Sequence, residues 1–275
     1  MILTVLKDVN KKINFIYPEK TASLSLTATE CELNCPYCNK HYLQHMKTIQ
    51  NIDISELKSI LISGGVDSDG KLPFDEHSDF YLKLKNQNIK INLHSGIIKN
   101  PERLQKIKKY IDCISFDFIY DKKTIKNLYN GFYNQQDFLD SLHIIMESGI
   151  RVVPHIVCGI DYGKIKGEFD SIDYLNSKKI SEIALLVVIS NSKTEFCDVN
   201  PPEINEVRKI IDYSVKKIEK VVLGCMRPGG RYRFNLDREA VLAGVKGIVM
   251  PHPEVVKFAK NNFYDINETY ECCVF

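Results

Sequence analysis

Three cysteines, Cys31, Cys35 and Cys38, stand in the run CELNCPYC. A Cys-x3-Cys-x2-Cys spacing can wrap three thiolates around one side of an iron–sulfur cube, and thiolates are the usual protein ligands of such clusters. A cube held wholly by protein takes a fourth cysteine. Its absence leaves one iron open to a small molecule, so the spacing points to a reactive cluster rather than a structural one. Zinc is the alternative, but zinc takes four ligands, usually as two close pairs, and no second pair lies near. His41 and His45 are the candidate zinc ligands; otherwise they are surface residues of a helix that follows the loop.

These residues need a frame that holds them together. Short apolar, β-branched runs alternate with amphipathic stretches along the chain. Strands are predicted near Ser23–Thr27, Ser59–Ser63, Lys90–Leu93, Cys113–Asp117, Arg151–Val157, Glu182–Ile189, Val221–Gly224 and Gly247–Met250. Helical patterns fall between them, among them Asp75–Asn86, Asn134–Ser148 and Pro202–Lys220. The last opens on Pro-Pro-Glu, a helix-start signal, and spaces Ile204, Val207, Ile210, Ile211 and Val215 helically. Such a count predicts an α/β fold, a (β/α)8 TIM-type barrel of one domain over residues 1–275. The alternative is a partial (β/α)6 barrel with appended units.

In such a barrel ligands gather at the carboxyl ends of the strands. The cysteine run follows the first predicted strand, Gly64-Gly65 ends the second, and His94-Ser95-Gly96 ends the third. Asp117 ends the fourth, Cys158-Gly159 the fifth, and a glycine-rich run after Cys225 follows the seventh. Residues far apart in sequence thus converge on one mouth. The tail 261–275 shows no strand or helix partner and is expected to fold back over that mouth.

Composition narrows the class. The net charge is +2 with 10% aromatics and 44% hydrophobics. That balance speaks against nucleic acid as a partner, since phosphate contacts need a basic surface. The run MILTVLKDVNKK is interrupted by Lys7 and Asp8 before a signal-peptide core can form, and Ile183 to Ile189 is too short an apolar stretch to span a membrane. A cytoplasmic protein without membrane contact is expected. Nine cysteines without a secretion signal read as metal ligands or buried thiols rather than a disulfide framework.

The chain resembles the radical S-adenosylmethionine (SAM) enzymes over most of its length. The triad has that family's spacing, with Tyr37 immediately before the third cysteine. Ser63-Gly64-Gly65 resembles the glycine motif whose backbone receives the amino group of SAM, although the motif usually ends in Glu and here ends in Val66. The resemblance implies a [4Fe-4S] cluster on Cys31, Cys35 and Cys38 with SAM at the open iron. It places adenine against Val157 and Gly159 and the ribose near Asp117, and makes His94, Ser95 and Arg227 further cofactor contacts. The implied reaction cleaves SAM reductively to a 5′-deoxyadenosyl radical, which removes hydrogen from an unactivated C–H bond.

The segment GCMRPGGRYR from Gly224 and the run LDREAVLAGVKGIVMP resemble the biotin synthase branch. Biotin synthases hold a second cluster on cysteines at positions that align with Ile62, Asn92 and Val153 here, so a literal biotin synthase is not expected. Cysteines stand elsewhere instead. Cys225, Cys272 and Cys273 are the expected ligands of an auxiliary iron–sulfur cluster, the alternative being a strand-end thiol and a frayed tail. Tyr270, Val274 and Phe275 are hydrophobic anchors that argue for docking. Cys113 and Cys197 read as ordinary thiols, and Cys158, alternating with Val157, as a reserve ligand. Arg227, Arg231 and Arg233 could grip a carboxylate or form a salt-bridged turn at the rim, and Gly229-Gly230 a tight turn. His155 reads as a satisfied interior histidine and His143 as structural.

The layout is similar to one component of the two-protein lipoyl synthase system. That implies sulfur insertion into a protein-bound octanoyl chain, with the auxiliary cluster as sulfur donor. It also implies a sister radical-SAM protein, a lipoyl-carrier domain or octanoyl-peptide, and a reductant such as a ferredoxin or flavodoxin. The rivals are another radical-SAM outcome (rearrangement, methylation or C–C bond formation) and a metal-binding scaffold without chemistry.

Overall fold

A computed structural model describes residues 11–275. The amino-terminal run that bears on a leader lies largely outside these described residues, as does the start of the 1–275 domain. Among the described residues ten strands form one all-parallel sheet: β1 (Lys12–Ile16), β2 (Thr21–Ser25), β3 (Ser59–Ser63), β4 (Lys90–His94), β5 (Cys113–Asp117), β6 (Val152–Cys158), β7 (Glu182–Val187), β8 (Lys220–Leu223), β9 (Gly247–Val249) and β10 (Asp265–Thr269). Their order is β10-β1-β9-β8-β7-β6-β5-β4-β3-β2. Helices α1 (Ser78–Asn86), α2 (Pro101–Ile107), α3 (Lys122–Tyr129), α4 (Gln135–Ser148), α5 (Glu168–Ser177), α6 (Ile204–Lys217), α7 (Gly230–Ala243) and α8 (Pro253–Asn261) fill the crossovers. Among the described residues, no helix is long and apolar enough to cross a membrane.

This is the expected TIM-like α/β architecture. The eight predicted strands are β2 to β9, each within about two residues of its expected bounds. β1 and β10 come in addition. Only four residues, Tyr17–Lys20, separate β1 from β2. Lys20 donates its N–H to Tyr270 O, while its carbonyl accepts from the N–H groups of Lys58 and Ser59. That single residue draws the two edges of the sheet toward each other. No α-helix joins β2 to β3; the connection carries the cysteine run and a 3-10 turn, His41–His45.

The period-two alternation of each strand sorts its side chains between two compartments. Ile60, Ile62, Ile91, Leu93, Ile114, Phe116, Ile156 and Cys158 point outward into one large core against the helices. The inward residues form a separate interior. Val274 is 1% exposed there and packs on Cys113, Val153 and Ala184. Cys273 packs beside Ile16, Val222 and Val249.

The tail 261–275 therefore departs from expectation twice. Its first part is a strand, β10, pairing in register with β1 from Lys12↔Asp265 to Ile16↔Thr269. Its last part docks at the amino-terminal end of the strands, not over the carboxyl-end mouth. Cys272 N donates to Ser59 Oγ (3.3 Å), and Glu271 pairs with Lys90 (2.8 Å). Ser59, Lys90 and Cys113 each open a strand. Parallel pairing with β1 causes this, because it releases the chain next to Lys20, where β2 and β3 begin.

Candidate active site

The cysteine run leaves the carboxyl end of β2 and is pinned before it turns. Ser25 Oγ donates to Ala28 O (2.7 Å), Thr27 Oγ1 donates to Glu30 O (2.9 Å), and Gly65 N donates to Thr27 Oγ1 (2.7 Å). Glu32 N donates to Val66 O (2.8 Å), so the loop lies directly on the glycine motif. A Cβ on Gly65 would fall 2.0 Å from Glu30 O and 2.4 Å from Cys31 Cβ. Glycine is needed here for that close approach. Past Cys35, the N–H groups of Cys38 and Asn39 bond to Cys35 O, and Asn39 and Lys40 take left-handed backbone angles. These turns fold the three cysteines back toward one another.

The thiols report that convergence. Burial pushes Cys35 up to about 12, with further upward pressure from Cys38 and Cys31. Cys38 is raised by burial, against lowering by the N–H groups of Tyr42 and Lys40, with Cys31 raising it further. Cys35 and Cys38, both raised by burial first and by neighbouring thiols second, complete with Cys31 a donor set that a cationic iron centre would satisfy. The three sulfurs do not come as close together as donors of one ion, whereas ligands at separate corners of a cube stand further apart. The residues present fit a cluster.

On the inward face beside this loop, β4, β5 and β6 present His94, Asp117 and His155. Their registers, His94↔Ser115 and Asp117↔His155, bring the three together. His94 Nε2 stands 3.3 Å from Asp117 Oδ2, and His155 Nδ1 3.7 Å from Asp117 Oδ1. Burial acts against charge on His94, but Asp117 prevails and raises it. Burial also opposes charge on Asp117, and His94 and then His155 hold its carboxyl below the usual carboxylate range. Burial drives His155 down to about 4, so it is neutral. Its Nε2 is buried with no hydrogen-bond partner, which corrects the expectation of a satisfied interior histidine.

Other expected contacts fall as follows. Ser63 Oγ donates to His94 O (3.4 Å), while buried Ser95 turns its hydroxyl onto Gly96 O (3.0 Å). Tyr37 is half-buried in edge contact with Phe196, its phenol raised by burial and by Tyr129. Val157 faces inward on β6. Gly159 has φ +77, and a Cβ there would meet Pro202 at 2.5 Å. Its N–H is already bonded to Glu168 Oε1 (2.8 Å). Cys158 points into the outer core and Cys197 is exposed.

Arg227 is a correction. Neither it nor Asp237 exposes any side chain, and it grips Asp237 through Nε (2.7 Å) and Nη2 (3.0 Å). Its remaining donors go to Gly224 O (2.6 Å) and Met250 O (3.3 Å). With every donor direction turned inward, it joins the ends of β8 and β9 to α7 rather than meeting a cofactor. Arg233 lies above it, Nη2 donating to Arg227 O (3.1 Å). His41 and His45 sit on the 3-10 turn rather than on an α-helix, their rings 5.0 Å apart.

Cys225 follows β8 and is exposed, whereas Cys272 and Cys273 enter the interior from below. Asn92 Nδ2 donates to Cys272 Sγ (3.4 Å). A thiol hydrogen bond from Cys273 lowers Cys272 and raises Cys273 in turn. Although the residue is exposed overall, the protein crowded about its sulfur raises the Cys225 thiol, and Cys272 raises it further. His94 also feels Cys272. The tail thiols thus sit beneath the His94–Asp117–His155 group.

No family model and no curated protein matches this chain. Solved structures do. Methylornithine synthase (PylB) aligns with a TM-score of 0.63 at 12% identity, over 89% of this chain and 74% of that one. HMG-CoA lyase from Brucella melitensis aligns at 0.53 and 11%, over 93% of each chain. The anSMEcpe protein with bound AdoMet and Cp18Cys peptide aligns at 0.51 and 10%, over 85% of this chain and 63% of that one. The fold is shared with all three. Proteins of quite different names carry it, so the chemistry has to be argued from the site.

Proposed function

We propose that this chain is a radical SAM enzyme, with Cys31, Cys35 and Cys38 holding a [4Fe-4S] cluster and SAM completing the open iron. The observation that carries this is the seating of the triad on Gly65 at the carboxyl ends of β2 and β3, with Cys35 and Cys38 raised by burial and by their neighbouring thiols. When bound, the cluster and SAM supply a one-electron cleavage that yields a hydrogen-abstracting 5′-deoxyadenosyl radical. The chain's own residues orient and enclose. Thr27 fixes Gly65 so that the Gly64-Gly65 backbone carbonyls lie free for the amino group of SAM, and Val157 gives adenine an apolar inward surface. Tyr37 packs edge-on against Phe196 beside the cluster loop.

The finer reading is sulfur insertion into an unactivated C–H bond, as for a protein-bound octanoyl chain in lipoate formation. Cys225, Cys272 and Cys273 would hold an auxiliary iron–sulfur cluster as the sulfur donor. Support comes from the coupling of Cys225 to the tail pair and from the lowered Cys272 thiol, the ionised form a metal ligand needs. This reading carries with it a sister radical-SAM protein, a lipoyl-carrier domain and a ferredoxin or flavodoxin reductant.

The test is iron and sulfide content after anaerobic reconstitution, with SAM cleavage assayed under dithionite. Wild type should cleave SAM. The Cys31→Ala/Cys35→Ala/Cys38→Ala variant should lose cleavage yet keep iron and sulfide bound by the remaining three cysteines. A variant without iron removes the auxiliary cluster and sulfur insertion with it, leaving the radical reading with a rearrangement, methylation or C–C bond-forming outcome. Wild type that binds iron without cleaving SAM overturns the radical reading itself.

A further inference from the structure

His94, Asp117 and His155 come from three adjacent strands and meet on the inward face, where one nitrogen of each imidazole and one carboxylate oxygen all lie within 4.8 Å of one another. Among the described residues this is the one group of His, Cys, Asp and Glu side chains packed so closely. Donors about 2.1 Å from a common ion stand roughly 3.0–3.5 Å apart, and His94 Nε2 stands 3.3 Å from Asp117 Oδ2 while His155 Nδ1 stands 3.7 Å from its Oδ1. A small inward movement of His155 satisfies both. Simple hydrogen bonding explains the group less well. His155 Nδ1 lies 3.7 Å from Asp117, beyond hydrogen-bond length, and its Nε2 is buried without a partner, an arrangement that costs free energy unless something completes the ring.

We propose that His94, Asp117 and His155 form a mononuclear divalent-cation site, distinct from the cysteine triad, that takes a first-row metal and offers it to an oxygen donor of the substrate. Two imidazoles and one carboxylate suit Mn(II), Fe(II), Co(II) or Zn(II), and a three-donor set leaves coordination positions open. The strand geometry says where those positions point. β4, β5 and β6 supply the donors from one wall of the barrel, Val157 lies one alternation further along β6 toward the mouth, and Cys272 lies below. The open face is therefore the barrel interior. A substrate carrying a carboxylate, or a carbonyl with an adjacent hydroxyl, would chelate there and be held against the wall facing the cluster loop. His94 and Asp117 then act on substrate rather than as SAM contacts.

The probe is Mn(II), followed by electron paramagnetic resonance on oxidised, reconstituted protein, without SAM or reductant. The outcome is thus independent of the radical reading. Wild type should bind one Mn(II) per chain, and electron spin-echo modulation should show 14N coupling from directly bound imidazole. His155→Ala and Asp117→Asn should each weaken binding by more than about 100-fold, since even changes around a ligand typically cost 10–100-fold. His143→Ala, an exposed histidine on α4, should leave binding and the 14N signal unchanged. Failure of wild type to bind, or binding without 14N coupling, overturns the site. So does a 14N signal that persists in both His155→Ala and Asp117→Asn.

Discussion

Replacing Arg227 by methionine separates a structural arginine from a cofactor-binding one. The side chain fills a site from which neither it nor Asp237 reaches solvent. Methionine has comparable length but no donor, so Asp237 is left charged and buried with only the His252 N–H (2.9 Å) as a partner. Breaking a buried pair from one side costs about 3–5 kcal/mol. The carbonyl of Gly224 loses its donor as well, and that of Met250 keeps only the longer bond from Arg233 Nη1 (3.5 Å), which places Arg227→Met toward the upper end of that span. Against a total stability of about 5–15 kcal/mol, this is a loss readable in a urea titration of the apo protein. The double variant Arg227→Met/Asp237→Leu removes both charges and should recover at least about 2 kcal/mol of the loss, because the penalty lies mainly in the orphaned carboxylate. SAM affinity of the folded fraction, measured by equilibrium dialysis, should stay within a few-fold of wild type. Stability within about 1 kcal/mol of wild type together with lost SAM binding would refute the reasoning and return Arg227 to the cofactor.

Gly65→Ala should disturb the cysteine loop before it disturbs the barrel, since the added methyl meets Glu30 O and Cys31 rather than core. Iron retained after reconstitution should fall by at least half while thermal unfolding shifts little; full iron content would show that the loop can move aside. Asp75 gives a pH dependence. Burial raises its carboxyl, but hydrogen bonds from Arg103 and Lys106 outweigh this and hold it below its ordinary 3.8. A depressed carboxyl contributes stability above its unfolded value and loses it as pH falls through the folded one. Asp75→Asn should therefore lower stability at neutral pH and flatten the acid limb of the stability curve below about pH 4. An unchanged acid limb would mean that the Arg103 pair does not hold in solution.

Much of this architecture was legible from β-branched runs. SILIS and CISFD became β3 and β5 over their predicted spans, because buried parallel strands read as apolar runs. DINET did not. It is an edge strand in which only Ile266 and Thr269 are half-buried, so it has no apolar run to read, and its partner KINFI lies at the other end of the chain. The docking of Val274 and Phe275 followed from their apolarity, but the end of the barrel they reach depends on the β1–β10 register, which composition does not encode. Arg227 resembled a ligand-gripping residue because its partner, Asp237, sits on the following helix and carries no mark of burial in the sequence. The cysteine loop was legible because chemistry dictates its spacing. The His94–Asp117–His155 group was not, since its members come from three strands and only the sheet register makes them neighbours.

The placing of β1 between β9 and β10 has a consequence for how the chain reaches its native state. The side chains of Asn14 and Thr269, 255 residues apart, are hydrogen-bonded across that seam. Loop-closure entropy grows only slowly with length, by about 0.6 kcal/mol per doubling, so so wide a separation costs little at equilibrium. Its effect is on timing: contacts between such distant segments form late and slowly. Until β1 is captured, β9 presents an open strand edge, which invites pairing with other chains. The species most exposed to aggregation is thus a nearly complete sheet waiting for its last staves.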